Sequence, residues 1–153
     1  MSASPAVAEV VALDLAYRQA GRWLRVLHEV SFAIARGEVF GLVGESGCGK
    51  STLAYQLLGC RQPNLRVEGG SVLFKGTDLL GFDRPALDRL RGNRISLVPQ
   101  NPTTALSPGM RVGRQVAEVL QLHDVARSAA DARASVIELF GLVGLPDPSG
   151  IGR

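Results

Sequence analysis

The spacing of hydrophobic positions changes along this chain, and each spacing predicts a kind of element. Aliphatic and β-branched residues dominate residues 7–17, and apolar positions partly alternate with polar ones over residues 24–34. Both stretches are typical of strands. Short apolar runs at residues 39–43, 70–74 and 95–98 predict further strands. The strands predicted at residues 7–17 and 24–34 are closely linked and precede the one at residues 39–43. This order favours an antiparallel sheet packed on an α/β core.

Helical spacing follows several of these runs. Apolar residues at 53, 54, 57 and 58 predict a helix over residues 51–58 that Gly59 ends. Asp83 is a candidate cap for a helix that begins near Pro85. Two amphipathic helices are predicted after it, and we expect them to pack on each other. Their apolar positions are Val112, Val116, Val119 and Leu120 in the first, and Val136, Ile137, Phe140 and Val143 in the second.

Residues 44–51, Gly-Glu-Ser-Gly-Cys-Gly-Lys-Ser, match the form G-x-x-x-x-G-K-[ST] of a phosphate-binding loop. Its glycines let the backbone curl tightly and approach a polyphosphate closely. The turn directs N–H groups into one concavity, and the following helix adds the positive end of its dipole. Lys50 supplies a charge for the outer phosphates, and Ser51 supplies a hydroxyl for Mg²⁺. The sequence therefore predicts a site for a nucleoside triphosphate.

Composition narrows the class of protein without adding chemistry. The chain has 153 residues, of which 46% are hydrophobic, and this is enough for a core of one-domain length. The net charge is +3, and no aromatic residues are interleaved with the densest group of arginines, at 84, 89, 91 and 94. This pattern favours a solvated helix face over a nucleic-acid surface.

Cysteines and the N-terminal residues indicate the compartment. Cys48 and Cys60 form neither a metal-ligand pattern nor a disulfide framework, which is typical of a reducing compartment. Glu9 and Asp14 interrupt the first apolar stretch, so it does not have the form of a signal peptide. No apolar run approaches the roughly 20 residues that cross a bilayer. We expect a soluble chain whose membrane role, if any, comes through a partner.

Three stretches resemble the nucleotide-binding subunits of ATP-binding-cassette (ABC) transporters, and most of all the branch that imports oligopeptides, dipeptides and, in some members, nickel. Residues 41–52 are similar to the phosphate loop of that branch nearly letter for letter. Ile95-Ser-Leu-Val-Pro-Gln-Asn-Pro102, followed by Thr104-Ala-Leu-Ser-Pro108, resembles its Q-loop. Tyr17 falls where the family places an aromatic residue that stacks on adenine. The resemblance extends from about residue 10 to about residue 145.

The resemblance implies an α/β fold, namely a P-loop NTPase of ABC type that is incomplete within residues 1–153. Residues 7–60 would form the strands of the β subdomain and the P-loop core, with a strand leading into the loop. Residues 61–100 would supply a strand, a helix and the Q-loop strand. Residues 101–145 would begin the helical subdomain, and residues 146–153 would connect it to a C-terminal half.

The resemblance also implies a site for Mg-ATP. Its residues would be Gly44, Glu45, Ser46, Gly47, Cys48, Gly49, Lys50, Ser51 and Thr52, together with Tyr17 and Gln100. Lys50 would bridge the β- and γ-phosphates, and Thr52 would donate to a phosphate oxygen. Ser51 and Gln100 would act at Mg²⁺. A glutamine suits this place because its neutral amide both donates and accepts hydrogen bonds and does not compete electrostatically with the triphosphate. Two alternatives stay open: Gln100 as an exposed residue after a strand, and Tyr17 as a packing residue with Trp23 or another neighbour on adenine.

Partners and location follow from the same resemblance. The segment Gln100–Arg111 would contact transmembrane permease subunits, and a second ATP-binding subunit, identical or different, would complete the sites. The protein would lie peripherally on the cytoplasmic face of the inner membrane, with no role for nucleic acid. Peptides are the expected transported substrate, and nickel or another small solute is the less favoured alternative.

Residues that hydrolyse ATP in the family have no counterpart in this sequence. Residues 1–153 contain no Leu-Ser-Gly-Gly signature loop, no Asp-ended apolar strand followed by a catalytic Glu, and no later switch-loop His. We therefore expect no catalytic residue in this chain, no turnover by it alone, and poor solubility from unpaired edges at residues 39–43. A fragment, an early stop and a frameshift all stay open. Two alternatives to an importer subunit stay open. One is a non-catalytic remnant with weak nucleotide binding. The other is a soluble P-loop kinase, which is less favoured because it would not be expected to carry Val98-Pro-Gln100.

Overall fold

A computed structural model describes residues 6–101 and 105–151 of the chain. Pro102, Thr103 and Thr104, which belong to the expected Q-loop segment, lie outside the described residues. The chain divides into two compact units at the boundary between Asp88 and Arg89. Within the described residues, no helix is long and apolar enough to cross a membrane.

An antiparallel sheet organises the first unit. Its strands are β1 (Ala6–Gln19), β2 (Arg22–Ala35), β3 (Leu65–Phe74) and β4 (Thr77–Asp78), in the order β2-β1-β3-β4. The strands predicted at 7–17, 24–34 and 70–74 are confirmed, and β3 begins five residues earlier than its apolar run. β1 therefore has a hydrogen-bonded neighbour along both edges.

Two-residue turns set the starting register of the two hairpins of this sheet, β1–β2 and β3–β4. Ala20 and Gly21 join β1 to β2 with φ values of 49° and 79°, and Lys75 and Gly76 join β3 to β4 with 49° and 78°. Positive φ at both central residues is the type I′ geometry, whose twist matches that of paired strands. The turn expected at Arg36 and Gly37 is also present after β2.

The core of the first unit is built by the sheet and by short helical segments. These segments are α1 (Lys50–Gln56), a 3₁₀ turn (Leu79–Gly81) and α2 (Arg84–Leu90), which continues past the unit boundary. The buried side chains are Val10, Leu13, Leu15, Ala16, Leu27, Leu53, Val72, Leu79 and Leu87, together with Gln56. Asp83 caps α2 as predicted, because its Oδ1 accepts from the Ala86 N–H at 2.9 Å.

Two predicted strands are not formed. Residues 39–43, the expected phosphate-loop strand, and residues 96–98 of the expected Q-loop strand belong to no strand, and Ile95 makes only an isolated bridge to Arg91. Val39, Val43 and Val98 are 97%, 93% and 93% exposed. A strand needs a partner for its N–H and C=O groups, and within the described residues no strand pairs with residues 39–43 or 96–98. The predictions were therefore wrong for these two elements.

Helices make up most of the second unit. α3 (Val112–Leu122) and α4 (Ala129–Leu142) contact each other, and a short helix α5 (Pro148–Ile151) lies in the expected connector. Ser128 caps α4, since its Oγ accepts from the Asp131 N–H at 3.1 Å. The buried residues are Gly113, Ala126, Ala132, Val136 and Phe140. The prediction of two helices that pack on each other is confirmed. Of their predicted apolar positions, Val136 and Phe140 are buried, but Val119 and Val143 are 50% and 72% exposed, so the predicted apolar face was wrong at these two positions.

Candidate nucleotide-binding site

The segment that leads into the phosphate loop leaves the end of β2. Glu38 ties it to the sheet, because its Oε2 accepts from the Ala35 N–H at 2.6 Å. Phe40 stacks on Phe32 of β2, with ring centroids 4.8 Å apart and planes 13° from parallel. These two contacts hold the entry to the loop against the sheet even though the segment is not itself a strand.

Glycines shape the loop where side chains would not fit. Gly47 and Gly49 have φ values of 82° and 100°, the left-handed region that L-residues rarely adopt. A Cβ on Gly49 would lie 2.9 Å from Cδ2 of Leu27, and one on Gly44 would lie 2.8 Å from Sγ of Cys48. The loop thus rests directly on β2 at Gly49, where the left-handed φ and the contact with Leu27 both favour glycine. A Cβ at Gly44 would only displace the side chain of Cys48.

Lys50 closes over its own loop. Its Nζ donates to the carbonyl oxygens of Gly44 and Glu45 at 2.8 and 2.6 Å, and it lies 3.7 Å from Sγ of Cys48. The ammonium group therefore stands on a loop whose residues 44–48 are exposed. A polyphosphate can reach this charge from solvent, so the donor set fits the predicted ligand.

The start of α1 adds further positive character. Gly49 precedes it without a side-chain cap, and its first turn contains no acidic residue. The N–H groups of a first turn have no carbonyl partner within their own helix. Ser51, in this turn, is exposed and Thr52 is half-buried. Both hydroxyls therefore stand beside the loop, and the Ser51 hydroxyl is open to solvent.

Tyr17 lies near the end of β1, where it is half-buried. Its backbone pairs with Leu24 on β2 and with Leu65 on β3. Its hydroxyl donates to Oε1 of Gln62 at 2.9 Å, so the tip of the ring is anchored. Trp23, the alternative adenine contact, lies under the guanidinium of Arg66, which is 4.4 Å from the ring centroid. A cation therefore already covers one face of the tryptophan.

Gln100 belongs to the second unit and is exposed at a bend. Its action on a nucleotide bound to the first unit stays a prediction. The chain that follows it is held by Gln115 of α3. The Gln115 amide donates to the carbonyls of Ser107 and Met110 at 3.0 and 2.8 Å and accepts from the Ser107 N–H at 2.9 Å.

Three residues of these surroundings were missed by sequence reasoning: Leu27 beneath the loop, Gln62 at Tyr17, and Gln115 beside residues 107–110. Leu27 has the apolar character of an inward strand position, so its burial could have been inferred from the alternation in β2. Nothing in the local sequence marks either glutamine. Their partners are 45 residues away for Gln62 and 5–8 residues away for Gln115.

Antiparallel sheet, phosphate loop and helices together define an incomplete α/β domain of the P-loop NTPase class. The profile of the family described as ABC transporter matches residues 27–149. The chain therefore belongs to the ABC transporter family. This confirms the resemblance drawn from residues 41–52 and 95–108, and it argues against the soluble kinase alternative.

Curated relatives point to one branch of this family. The chain is 38% identical over 141 residues to the dipeptide transport ATP-binding protein DppD of Lactococcus lactis, which covers 92% of the chain and 40% of the relative. It is 35% identical over 143 residues to the oligopeptide transport ATP-binding protein OppD of the same species, with 93% and 42% covered. A putative peptide import ATP-binding protein of Brucella melitensis is 41% identical over 140 residues, with 91% and 42% covered. The chain thus spans about two fifths of the length of these relatives.

Proposed function

We propose that residues 44–52 bind the triphosphate of Mg-ATP and that the protein is an ATP-binding subunit of a peptide importer. The placement of Lys50 carries the proposal. Its ammonium lies within 2.8 Å of two carbonyls of an exposed loop, and Gly47 and Gly49 adopt left-handed backbone beside it. No acidic side chain stands in the first turn of the adjoining helix. This combination favours a polyanion.

Each residue of the site has a distinct task in this proposal. Lys50 would exchange its two loop carbonyls for phosphate oxygens, and Thr52 would donate to a third oxygen. Ser51 would hold Mg²⁺ through its hydroxyl, and Gln100 would act at Mg²⁺ through its amide. Tyr17 would stack on adenine. Mg-ATP supplies the phosphoryl group and the cation that neutralises its charge.

Partners are proposed from the names of the relatives, which are ATP-binding proteins of dipeptide, oligopeptide and peptide transport. The segment Gln100–Arg111 would contact the permease subunits. A cavity of about 510 Å³ begins at its end, and Arg111, Arg114 and Arg133 line it. A second ATP-binding subunit, identical or different, would face the nucleotide. The protein would then lie on the cytoplasmic face of the inner membrane.

Binding is tested by titrating the 153-residue polypeptide with Mg-ATP and comparing Lys50→Ala. Removing the only cation of the loop should weaken binding at least about tenfold, since a charge-assisted hydrogen bond contributes about 1.5–3 kcal/mol. Lys75→Ala is a matched control, because Lys75 is the only other lysine and lies in the β3–β4 turn. Equal affinity of Lys50→Ala and the unchanged polypeptide would contradict the proposal and favour the remnant alternative.

Hydrolysis is a separate question for this polypeptide. We propose that it binds Mg-ATP without turnover, because residues 1–153 contain no Asp-ended apolar strand followed by the Glu that acts as the general base in the family. Phosphate release at saturating Mg-ATP should equal that of the Lys50→Ala variant. Release that depends on Lys50 would show that a group within these residues activates water.

A further inference from the structure

We propose that Gln62 is a positioning residue for nucleotide recognition: its amide holds the ring of Tyr17 in the orientation that stacks on a purine base. This inference rests on the proposed function and deepens it, because it names the group that orders the adenine contact. It depends on a single long-range side-chain contact, the 2.9 Å hydrogen bond from the Tyr17 hydroxyl to Oε1 of Gln62.

The backbone of Tyr17 is already fixed before this contact is considered. Leu24 on β2 and Leu65 on β3 are its ladder partners, so its Cα cannot move without breaking the sheet. The ladder leaves the side-chain torsions free, and a tyrosine ring has several staggered positions about χ1. The hydroxyl at the far end of the ring is where one hydrogen bond removes most of that freedom.

Gln62 is suited to this task because its own segment is anchored. The Gln62 carbonyl accepts from the Leu65 N–H at 3.0 Å, and the Asn64 carbonyl accepts from the Arg18 N–H at 2.8 Å. Buried Gln56 of α1 donates its amide to the Cys60 carbonyl at 3.1 Å. The turn that carries Gln62 is thus tied to the end of β1 and to the end of α1.

These ties relate the two ends of the proposed site. α1 begins at Lys50, whose ammonium stands on the phosphate loop, and it ends at Gln56. Seven helical residues and one anchored turn therefore separate the phosphate contact from the residue that holds Tyr17. Such a link sets the spacing between a triphosphate and a stacked base.

A hydrogen bond at the tip of the ring does not itself occupy either face of the ring. A ring that is ordered before the ligand arrives loses less conformational freedom on binding, so the affinity for the base is higher. The hydrogen bond has no such effect on the phosphates. Gln62 is therefore expected to affect recognition of the nucleoside and not of the phosphate chain.

The experiment measures affinities of the intact protein for Mg-ATP and for magnesium tripolyphosphate, which lacks the nucleoside. Gln62→Met keeps the length of the side chain without an acceptor, and Tyr17→Phe removes the donor but keeps the ring. Each should weaken Mg-ATP about 3- to 10-fold, the range expected for one hydrogen bond. Neither should change tripolyphosphate affinity. Gln62→Glu retains an acceptor and should restore most of the affinity for Mg-ATP.

The double variant distinguishes positioning from independent effects. Tyr17→Phe combined with Gln62→Met should bind Mg-ATP no more weakly than either single variant, because both remove the same hydrogen bond. Losses that multiply would overturn the inference. So would unchanged Mg-ATP affinity, or an equal loss for both ligands, which would mean that Gln62 only supports the fold.

Failure of the proposed function has a different signature. An unchanged protein that binds neither Mg-ATP nor tripolyphosphate contradicts the proposed function, and the inference with it. Thermal unfolding of each variant shows whether it is folded. Tyr17→Phe keeps the test decisive if Gln62→Met does not fold, because the same split between the two ligands is expected of both.

Discussion

Strand β1 and residues 39–43 are both apolar in sequence, but only β1 forms a strand. β1 lies between β2 and β3, and its Leu15 is 0% exposed. Residues 39–43 have no strand partner within the described residues, and Val43 is 93% exposed. An apolar, β-branched run is therefore able to form a strand, but its sequence does not ensure that it forms one. Backbone pairing along an edge decides whether it does so.

Residues 95–98 repeat this lesson in the second unit. Ile95 forms an isolated bridge with Arg91, and Val98 is 93% exposed. Both runs that failed to form strands precede an expected functional loop, one ending before Gly44 and the other before Gln100. Exposed apolar runs of this kind bind other segments readily, which is why we expect them to lower the solubility of the polypeptide.

The largest expected effect comes from shortening two side chains of the 153-residue polypeptide, in the variants Leu15→Ala and Val43→Ala. Leu15→Ala should lower the free energy of unfolding by about 2–5 kcal/mol, since it leaves a cavity in the core. Val43→Ala should change it by less than about 0.5 kcal/mol. Chemical denaturation measures both. Similar losses for the two variants would show that residues 39–43 are buried, and the comparison would fail.

A glycine substitution sharpens the comparison at the sheet itself. Gly70 of β3 has φ of 84°, and a Cβ there would lie 2.5 Å from the Val11 carbonyl oxygen and even closer to that of Ala12. Gly70→Ala should cost roughly 1–3 kcal/mol, because β1 or β3 must shift. Gly76→Ala is the control: φ is 78°, but its Cβ would meet nothing within 4 Å. It should cost only about 1 kcal/mol, the lower end of the cost of a left-handed backbone for an L-residue.

For Gly70→Ala and Gly76→Ala, the midpoint of urea unfolding gives the difference directly. A loss at Gly76 that matched the loss at Gly70 would mean that strained backbone alone, and not contact between β1 and β3, explains the effect.

The smallest effect is expected from the charges on the sheet surface. Hydrogen bonds from Arg66 and then from Arg25 lower the pKa of Glu68, with the Arg25 Nε 3.1 Å from its carboxylate. A lowered pKa in the folded state means that this stabilisation is present at neutral pH. It is lost as the pH falls below the ordinary glutamate range and through the lowered pKa.

Glu68→Gln should therefore unfold at a slightly lower temperature than the unchanged chain at pH 7, with the difference shrinking toward pH 3. The effect should be small because exposed ion pairs contribute little. Thermal unfolding across this pH range measures it. A difference that grew on acidification would contradict the assignment of the lowered pKa to Glu68.

Much of the fold was predictable from periodicity. The aliphatic and β-branched content of residues 7–17, the partial alternation in residues 24–34 and the helical spacing after residue 111 identified β1, β2, α3 and α4 with small errors at their ends. The errors at residues 39–43 and 95–98 have one cause: apolar character was taken as evidence of a strand, although the N–H and C=O partners of a strand are supplied by other segments. No local pattern reports whether those partners exist.

The phosphate loop was predictable for a different reason. Its chemistry is written in consecutive residues, so Gly44 to Ser51 could be recognised without any neighbour. Tyr17 and Gln100 could be proposed only through a family resemblance, since each lies far from the loop in sequence. Gln62 could not be found in that way, because its contact with Tyr17 joins residues 45 positions apart.

The sequence by itself determined the family, the phosphate loop and the paired helices, because these depend on short-range spacing of residue types. The tertiary structure decided which apolar runs became strands and which residues surround the site. In the structure Leu27 packs against Gly49, the Lys50 ammonium donates to carbonyls of its own loop, and the Tyr17 hydroxyl donates to Gln62. Two of these contacts join segments that are distant in the sequence, and the third depends on the fold of the loop itself, so hydrogen bonding and close packing in the folded chain decide them.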